Sequence, residues 1–313
     1  MLEVRTSEAF KTNDAASYDT VTQEFDRFTE RFSTPLARRM VSLARLEQGQ
    51  CVLDVGTGTS VVATQAALTV GPHGRVVGID LSEKMVKAAR EKAALAGLAD
   101  RATYHVMDAE RLGLGDSSFD AAFSLFALLH FPNPLQALGE MFRVLRPGGI
   151  AVIGVGSRPP LFSLTGLLHR IRRLPELVFT FRHLQLTAPH YLNHLVEKFF
   201  PAHDEPEEST LAQGGLNRTS NVPALIRLAG FTIIRTCWEG HVAVIQNPEE
   251  FWDIQRTFSS IARKRLLNAA DEKVRELRRE FMETCQNVQR RGGRLIYPSA
   301  AFFVCARKPS AER

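Results

Sequence analysis

Cross-linking chemistry is the first thing this chain has little of. Its four cysteines, Cys51, Cys237, Cys285 and Cys305, lie far apart and form no CxxC pair. That spacing excludes a disulfide framework and argues against a zinc site, so no metal is expected. Cys51 and Cys305 stand in apolar runs and read as buried thiols. Long apolar runs are also missing. The longest, AAFSLFALLHF at 121–131, is too short to span a bilayer. The opening MLEVRTSEAFKTND has no apolar core and does not read as a signal peptide. A reducing, cytoplasmic setting is the resulting expectation. The charge excess is slight, +5, with a pI of about 9.2. It permits nucleic acid or an anionic membrane as a partner without demanding either.

The 313 residues, 44% of them hydrophobic, are enough for one large domain with an accessory part. Phe25, Phe28 and Phe32 recur at helical spacing, so a helical N-terminal cap is expected over 1–47, with helices from residue 14. From residue 48 a strict alternation begins. CVLDV, RVVGID, ATYHVMD, SFDAAFSLF and IAVIGVG read as strands, with helical segments between most of them. Ser82 is the expected N-cap of SEKMVKAAREKAALAG, and Gly97 its stop. Residues 48–156 therefore read as a doubly wound α/β core, whose ligands bind beyond the carboxyl ends of the strands. Residues 157–221 read as a mostly helical insertion. Residues 222–313 complete the core with strands at FTIIRTCWEG and AFFVCARK, separated by one or two helices at 248–291.

The stretch VLDVGTGTS, 52–60, carries the first chemistry. Gly56, Thr57 and Gly58 follow the first strand, where glycine lets a ligand approach the backbone. The helix after them points its first amides at the same spot, which suits an anionic group. Asp54, Asp80 and Asp108 end three successive strands. Asp80 is placed to accept from both hydroxyls of a ribose, and Asp108 from an adenine amino group. The dinucleotide rule GxGxxG needs glycine at 61 and finds Val61. A nicotinamide dehydrogenase is disfavoured on that ground, and the spacing reads as DxGxGx(G/S) instead.

With LDVGTGTS, GIDLSEKM, MDAERL, SFDAAFSLFALLHF and MFRVLRPGG in order, the chain resembles the class I S-adenosylmethionine-dependent methyltransferases. It is most similar to the small-molecule branch that includes the ubiquinone and menaquinone biosynthesis methyltransferases. The resemblance implies a Rossmann-like sheet of seven mostly parallel strands, with a helical N-terminal segment and helical lid insertions. It implies S-adenosylmethionine as cofactor, with S-adenosylhomocysteine as its product. Asp54, Gly56, Thr57 and Gly58 would line the methionine half. Asp80 would bind the ribose, Leu81 and Met85 would pack near the adenine, and Asp108 with Ala109 would read its edge. Phe126 would flank the sulfonium side. Ser60 replaces the usual third glycine, and its hydroxyl is expected to donate to the cofactor carboxylate. Tyr18 matches a tyrosine of the family's N-terminal lid and is one catalytic candidate.

The expected reaction is methyl transfer to oxygen or carbon of a small apolar metabolite: a polyketide, terpenoid, quinone or other aromatic of secondary metabolism. His130, in LLHF, is the candidate general base, with closure of the pocket as its alternative role. His183, His190, His194 and Tyr191 are further candidates. The Leu/Phe/Arg stripe at 161–182 reads as a plain core-packing helix unless it is exposed, in which case it would be a substrate wall, a homodimer face, or a peripheral membrane contact. Nucleic acid is not the expected partner. After the fourth strand SLFALLHF replaces the (D/N)PP(Y/F) of adenine-amino methyltransferases, and no Pro-Cys occurs. Arsenic methylation would need clustered thiols. A protein that binds the cofactor but catalyses another reaction, such as a cyclisation, or an RNA methyltransferase, are the alternatives.

Overall fold

The computed structural model describes residues 2–157, 185–201, 221–267 and 269–310. Three helices lead in: α1 (Leu2–Asp19), α2 (Thr22–Phe32) and α3 (Thr34–Ala44). Helix α1 starts well before residue 14, where the phenylalanine periodicity first marked a helix. Then come β1 (Cys51–Val55), α4 (Val61–Val70), β2 (Arg75–Asp80), α5 (Glu83–Leu95), β3 (Ala102–Val106), β4 (Phe119–Leu125), α6 (Pro134–Val144) and β5 (Leu145–Gly156). Ser82 caps α5 as expected, its hydroxyl accepting from the Met85 amide at 3.1 Å. Strand β5 begins at Leu145, ahead of Pro147, Gly148 and Gly149.

The remaining described elements are β6 (Gln185–Thr187), α7 (His190–Phe199), α8 (Val222–Leu228), β7 (Thr232–Ile245), α9 (Pro248–Phe258), α10 (Ser260–Leu267), α11 (Asp271–Arg290) and β8 (Arg294–Arg307). The sheet runs β3-β2-β1-β4-β5-β8, with β7 on the far side of β8 and the short β6 beside the start of β8. Strands β1 to β5 are parallel, and β8 is antiparallel to β5 and β7. This is the expected seven-strand Rossmann-like sheet with β6 added. Strand order reverses at β1, which has β2 on one side and β4 on the other. The ends of β1 and β4 therefore open the crevice where such sheets hold ligands.

Side-chain alternation sorts the core into two layers. Val52 and Phe123 face α3, α4 and α5, while Leu53 and Ala122 face α6 and α8. A third cluster, with Phe28, Phe251, Phe281 and Leu295, lies beyond the sheet. Its basis is the length of the β7–β8 hairpin. Residues 301–307 of β8 pair with β5, whereas 294–296 overshoot it and pair with β6. The overshoot gives α2, α7, α9 and α11 something to pack on. The long excursion at 248–291 is thus three helices covering a projecting hairpin, where one or two were expected.

Of the cysteines, Cys305 is buried as expected and Cys51 only half-buried. Among the described residues no helix is long and apolar enough to cross a membrane. The stripe at 161–182 and His183 lie outside the described residues. Phe123 is completely buried at the sheet's centre. Phe123→Ala is expected to cost about 3–5 kcal/mol of unfolding free energy, read from urea denaturation.

Candidate functional site

The turn after β1 is built by its own backbone. The amides of Gly56 and Thr57 both donate to the Ile79 carbonyl, at 2.9 and 2.8 Å. Gly58 donates to Asp80 Oδ2 at 2.9 Å, and Ser82 N to Asp80 Oδ1 at 3.0 Å. Gly56 has φ +72, and a Cβ there would lie 2.2 Å from the Ala127 Cβ. Only glycine lets the loops after β1 and β4 come this close. Asp54 is buried beneath the turn, its Oδ2 accepting from Thr57 Oγ1 at 2.7 Å and Ala63 N at 3.1 Å. Its carboxylate thus holds the turn to the start of α4. Burial pushes its pKa up to about 7, although these two hydrogen bonds oppose the shift. Burial raises the Asp80 pKa as well, against the two amides that it accepts from.

Above this turn lies a cavity of about 390 Å³, within the range of small-molecule sites. Asp54, Gly56, Thr57, Gly58, Asp80, Leu81, Met85, Ala109 and Phe126 line it, as do His130 and Tyr18. Phe126 has φ +62, a strained conformation for a bulky residue. It is held by its amide, which donates to the Gly154 carbonyl at 2.7 Å.

Two expected site residues are not on the cavity wall. Ser60 is completely buried in the left-handed region, at φ 78 and ψ 22. Its hydroxyl lies 3.1 Å from Thr64 Oγ1, within the first turn of α4. The usual glycine at this position suits its positive φ. Asp108 is turned to α1, with Oδ2 2.8 Å from Lys11 Nζ and Oδ1 accepting from Glu110 N at 2.9 Å. Lys11 also donates to Glu110 Oε2 at 2.6 Å. The Lys11 bridge ties the start of the chain to the end of β3. His190, Tyr191 and His194 are on α7, away from the wall. Tyr191 instead packs on Phe281, with ring centroids 5.3 Å apart.

The structure brings His130 and Tyr18 together and adds an acid that the sequence reading missed. His130 Nε2 lies 3.2 Å from Tyr18 Oη, and Nδ1 lies 3.0 Å from Asp14 Oδ2. Lys264 Nζ sits 3.1 Å from Asp14 Oδ1. Burial would raise the Asp14 pKa, but the His130 hydrogen bond and the charges of His130 and Lys264 hold it well below the usual carboxylate range. The buried Arg263 guanidinium covers the Tyr18 ring, 3.8 Å from its centroid. Burial raises the Tyr18 pKa and outweighs that cation. A signal for Asp14 existed: Lys11, Asp14 and Tyr18 share one helical face at i, i+3 and i+7. Nothing local marked Phe258 or Tyr297, which line the cavity from far along the chain.

Residues 53–153 match the model of the family described as "Methyltransferase domain". That stretch carries a methyltransferase domain. Similar proteins include the ubiquinone/menaquinone biosynthesis C-methyltransferase of Geobacter sulfurreducens, 36% identical over 54% of this chain and 65% of its own length. Aklanonic acid methyltransferase of Streptomyces sp. strain C5 is 33% identical over 45% of this chain and 64% of its own length. The chain thus spans somewhat less than two thirds of either relative. A candidate methyltransferase of Bacillus halodurans C-125 shares the fold, with a TM-score of 0.52 and 21% identity over 88% of this chain and 99% of that one. The matched methyltransferase domain contains the Gly56–Gly58 turn, Asp80 and His130. Tyr18, Asp14 and the aromatic residues beyond 153 lie outside it.

Two outcomes are expected. Ser60→Leu forces a large side chain into a filled space and lowers stability by about 1–3 kcal/mol, while Ser60→Gly folds normally; equal melting temperatures would refute this packing. The second concerns Asp54. The unfolded carboxyl releases its proton near 3.8 and the folded one near 7. The folded state therefore holds the extra proton between these values, and stability falls as pH rises through that window. The Asp14 contribution has the opposite sign and is lost only as pH falls below 3.8, outside the window. Melting of Asp54→Asn at pH 5 and pH 8 is expected to show a smaller loss than the native chain shows.

Proposed function

We propose that the protein transfers a methyl group from S-adenosylmethionine to an oxygen or acidic carbon of a flat apolar metabolite of quinone or polyketide type. One observation carries this reading. A single cavity is lined by the Gly56–Gly58 turn and Asp80, by the aromatic residues Phe25, Phe258 and Tyr297, and by the His130–Tyr18 pair. The residues fit the cofactor. The Gly56–Gly58 turn lines the cavity, and Asp80 offers a carboxylate already oriented by two amides. Leu81, Met85 and Ala109 would pack on the adenine. Asp108 would meet its amino group only if it shared its carboxylate with Lys11. When bound, the cofactor supplies a methyl group on a sulfonium sulfur, displaced in line and leaving S-adenosylhomocysteine.

The chain's own part is alignment and proton removal. Asp14 stays ionised and can only accept, so His130 must carry its proton on Nδ1. In its neutral form His130 is then left with Nε2 as an acceptor for the Tyr18 hydroxyl. An acceptor O–H beside Tyr18 can pass its proton to the phenol oxygen while the phenol proton moves to His130. Asp14 orients the imidazole and stabilises its cationic form, and Lys264 holds Asp14. Arg263 fixes the Tyr18 ring. The helices α1, α2, α3, α7, α9, α10 and α11 serve in this reading as the cap over the reaction.

Calorimetry with S-adenosylhomocysteine tests the cofactor half. Asp80→Ala is expected to weaken binding by about tenfold or more, and unchanged affinity would sink the assignment. Turnover with demethylated quinones and aromatic polyketides tests the rest, read as S-adenosylhomocysteine release with a methylated product. His130→Ala is expected to lower kcat by about a hundredfold or more while S-adenosylhomocysteine still binds. Cofactor that is bound and never consumed, as the acceptor rearranges, would favour a cyclisation instead.

A further inference from the structure

The aromatic wall has an order. Tyr18 meets Phe25 edge-on at 5.6 Å, Phe25 meets Phe258 at 5.8 Å, and Phe258 stacks on Tyr297 at 5.4 Å and 16°. All four line the cavity. The two tyrosines at the ends differ in one respect. Tyr18 spends its hydroxyl on His130. Tyr297 has no hydrogen-bond partner among the described residues, although its ring is fixed between Phe258 and Phe32, the latter at 4.7 Å. Of the next two residues, Pro298 has no N–H, and Ser299 Oγ already donates to the Phe32 carbonyl at 3.0 Å. Burial raises the Tyr297 pKa, so the phenol stays protonated and can donate. A hydroxyl held rigidly on a cavity wall with no protein partner is placed for a ligand.

We propose that Tyr297 is a specificity-determining residue for the acceptor, donating a hydrogen bond to a second oxygen remote from the methylated atom. The substrate class is narrowed accordingly. It is a flat apolar molecule lying along Phe25 and Phe258, with one oxygen or acidic carbon at Tyr18 and His130 and a carbonyl or hydroxyl at its far end. This inference rests on the methyl-transfer reading, because that reading places the reacting atom at the Tyr18 end.

The test uses the full chain saturated with S-adenosylhomocysteine, and two probes: naphthol, and dihydroxynaphthalene with its hydroxyls on opposite rings. Calorimetry is expected to show the dihydroxy probe binding about three- to tenfold tighter. Tyr297→Phe is expected to abolish that preference without changing the melting temperature, since the hydroxyl holds nothing in the fold. Equal affinity of the two probes for the native chain, the same preference in Tyr297→Phe, or no binding of either probe would overturn the proposal. Saturation with S-adenosylhomocysteine is measured first. Its failure would instead count against the methyl-transfer reading, so the two failures are separable.

Discussion

Everything at this site depends on the Ile79 carbonyl and the Asp80 carboxylate taking up three consecutive amides. Gly56, Thr57 and Gly58 would otherwise present unpaired donors at the end of a buried strand. By bonding them to β2, the protein fixes the turn between two strands and leaves no orphan inside. Asp54 secures the other side by joining the turn to α4. The consequence is a buried acid whose ionisation opposes folding, placed where the backbone must not move. The strained Phe126 and the glycine at 56 belong to the same economy of space, since both let the β4 loop close down on the β1 loop.

A second layer is built on that rigid floor from distant parts of the chain. Helix α1 reaches the end of β3 through Lys11, the end of β2 through the Asp19–Ser82 bond, and His130 through Asp14 and Tyr18. Helix α10 backs it with Arg263 and Lys264. The cluster around His130 therefore exists only where an N-terminal helix, a turn after β4 and a helix from the β7–β8 insertion coincide. Its electrostatics are self-consistent: the Lys264 cation and the His130 imidazole flank one buried carboxylate, and the Arg263 cation faces the phenol ring. The protonation pattern follows from that arrangement.

How much was legible depended on how local the signal was. The five parallel strands were readable because each is a short apolar run closed by turn residues, and the period of the pattern changes between strand and helix. The start of α1 was missed because its early residues carry no apolar periodicity. The count of helices at 248–291 was missed because breaks at Ser259 and near residue 270 resemble ordinary polar positions. Ser60 was placed in the right turn, but the contact of its hydroxyl was not legible. Spacing locates a residue on the chain, whereas left-handed backbone geometry turned its hydroxyl to Thr64. Asp108 was placed at the right strand end, but its Lys11 partner lies 97 residues away.

The sequence by itself determined the sheet, the glycine turn and the carboxylates at the strand ends, because alternation, chain stiffness and turn chemistry act over a few residues. It also determined the family of the α/β domain, since those short motifs keep their order. Tertiary structure alone decided which groups face one another: Asp14 behind His130, Tyr18 under Arg263, and Phe258 on Tyr297. These contacts depend on how far β8 overshoots β5 and on which helices that projection can bury. Such choices are made by packing across the whole chain, and no local stretch encodes them.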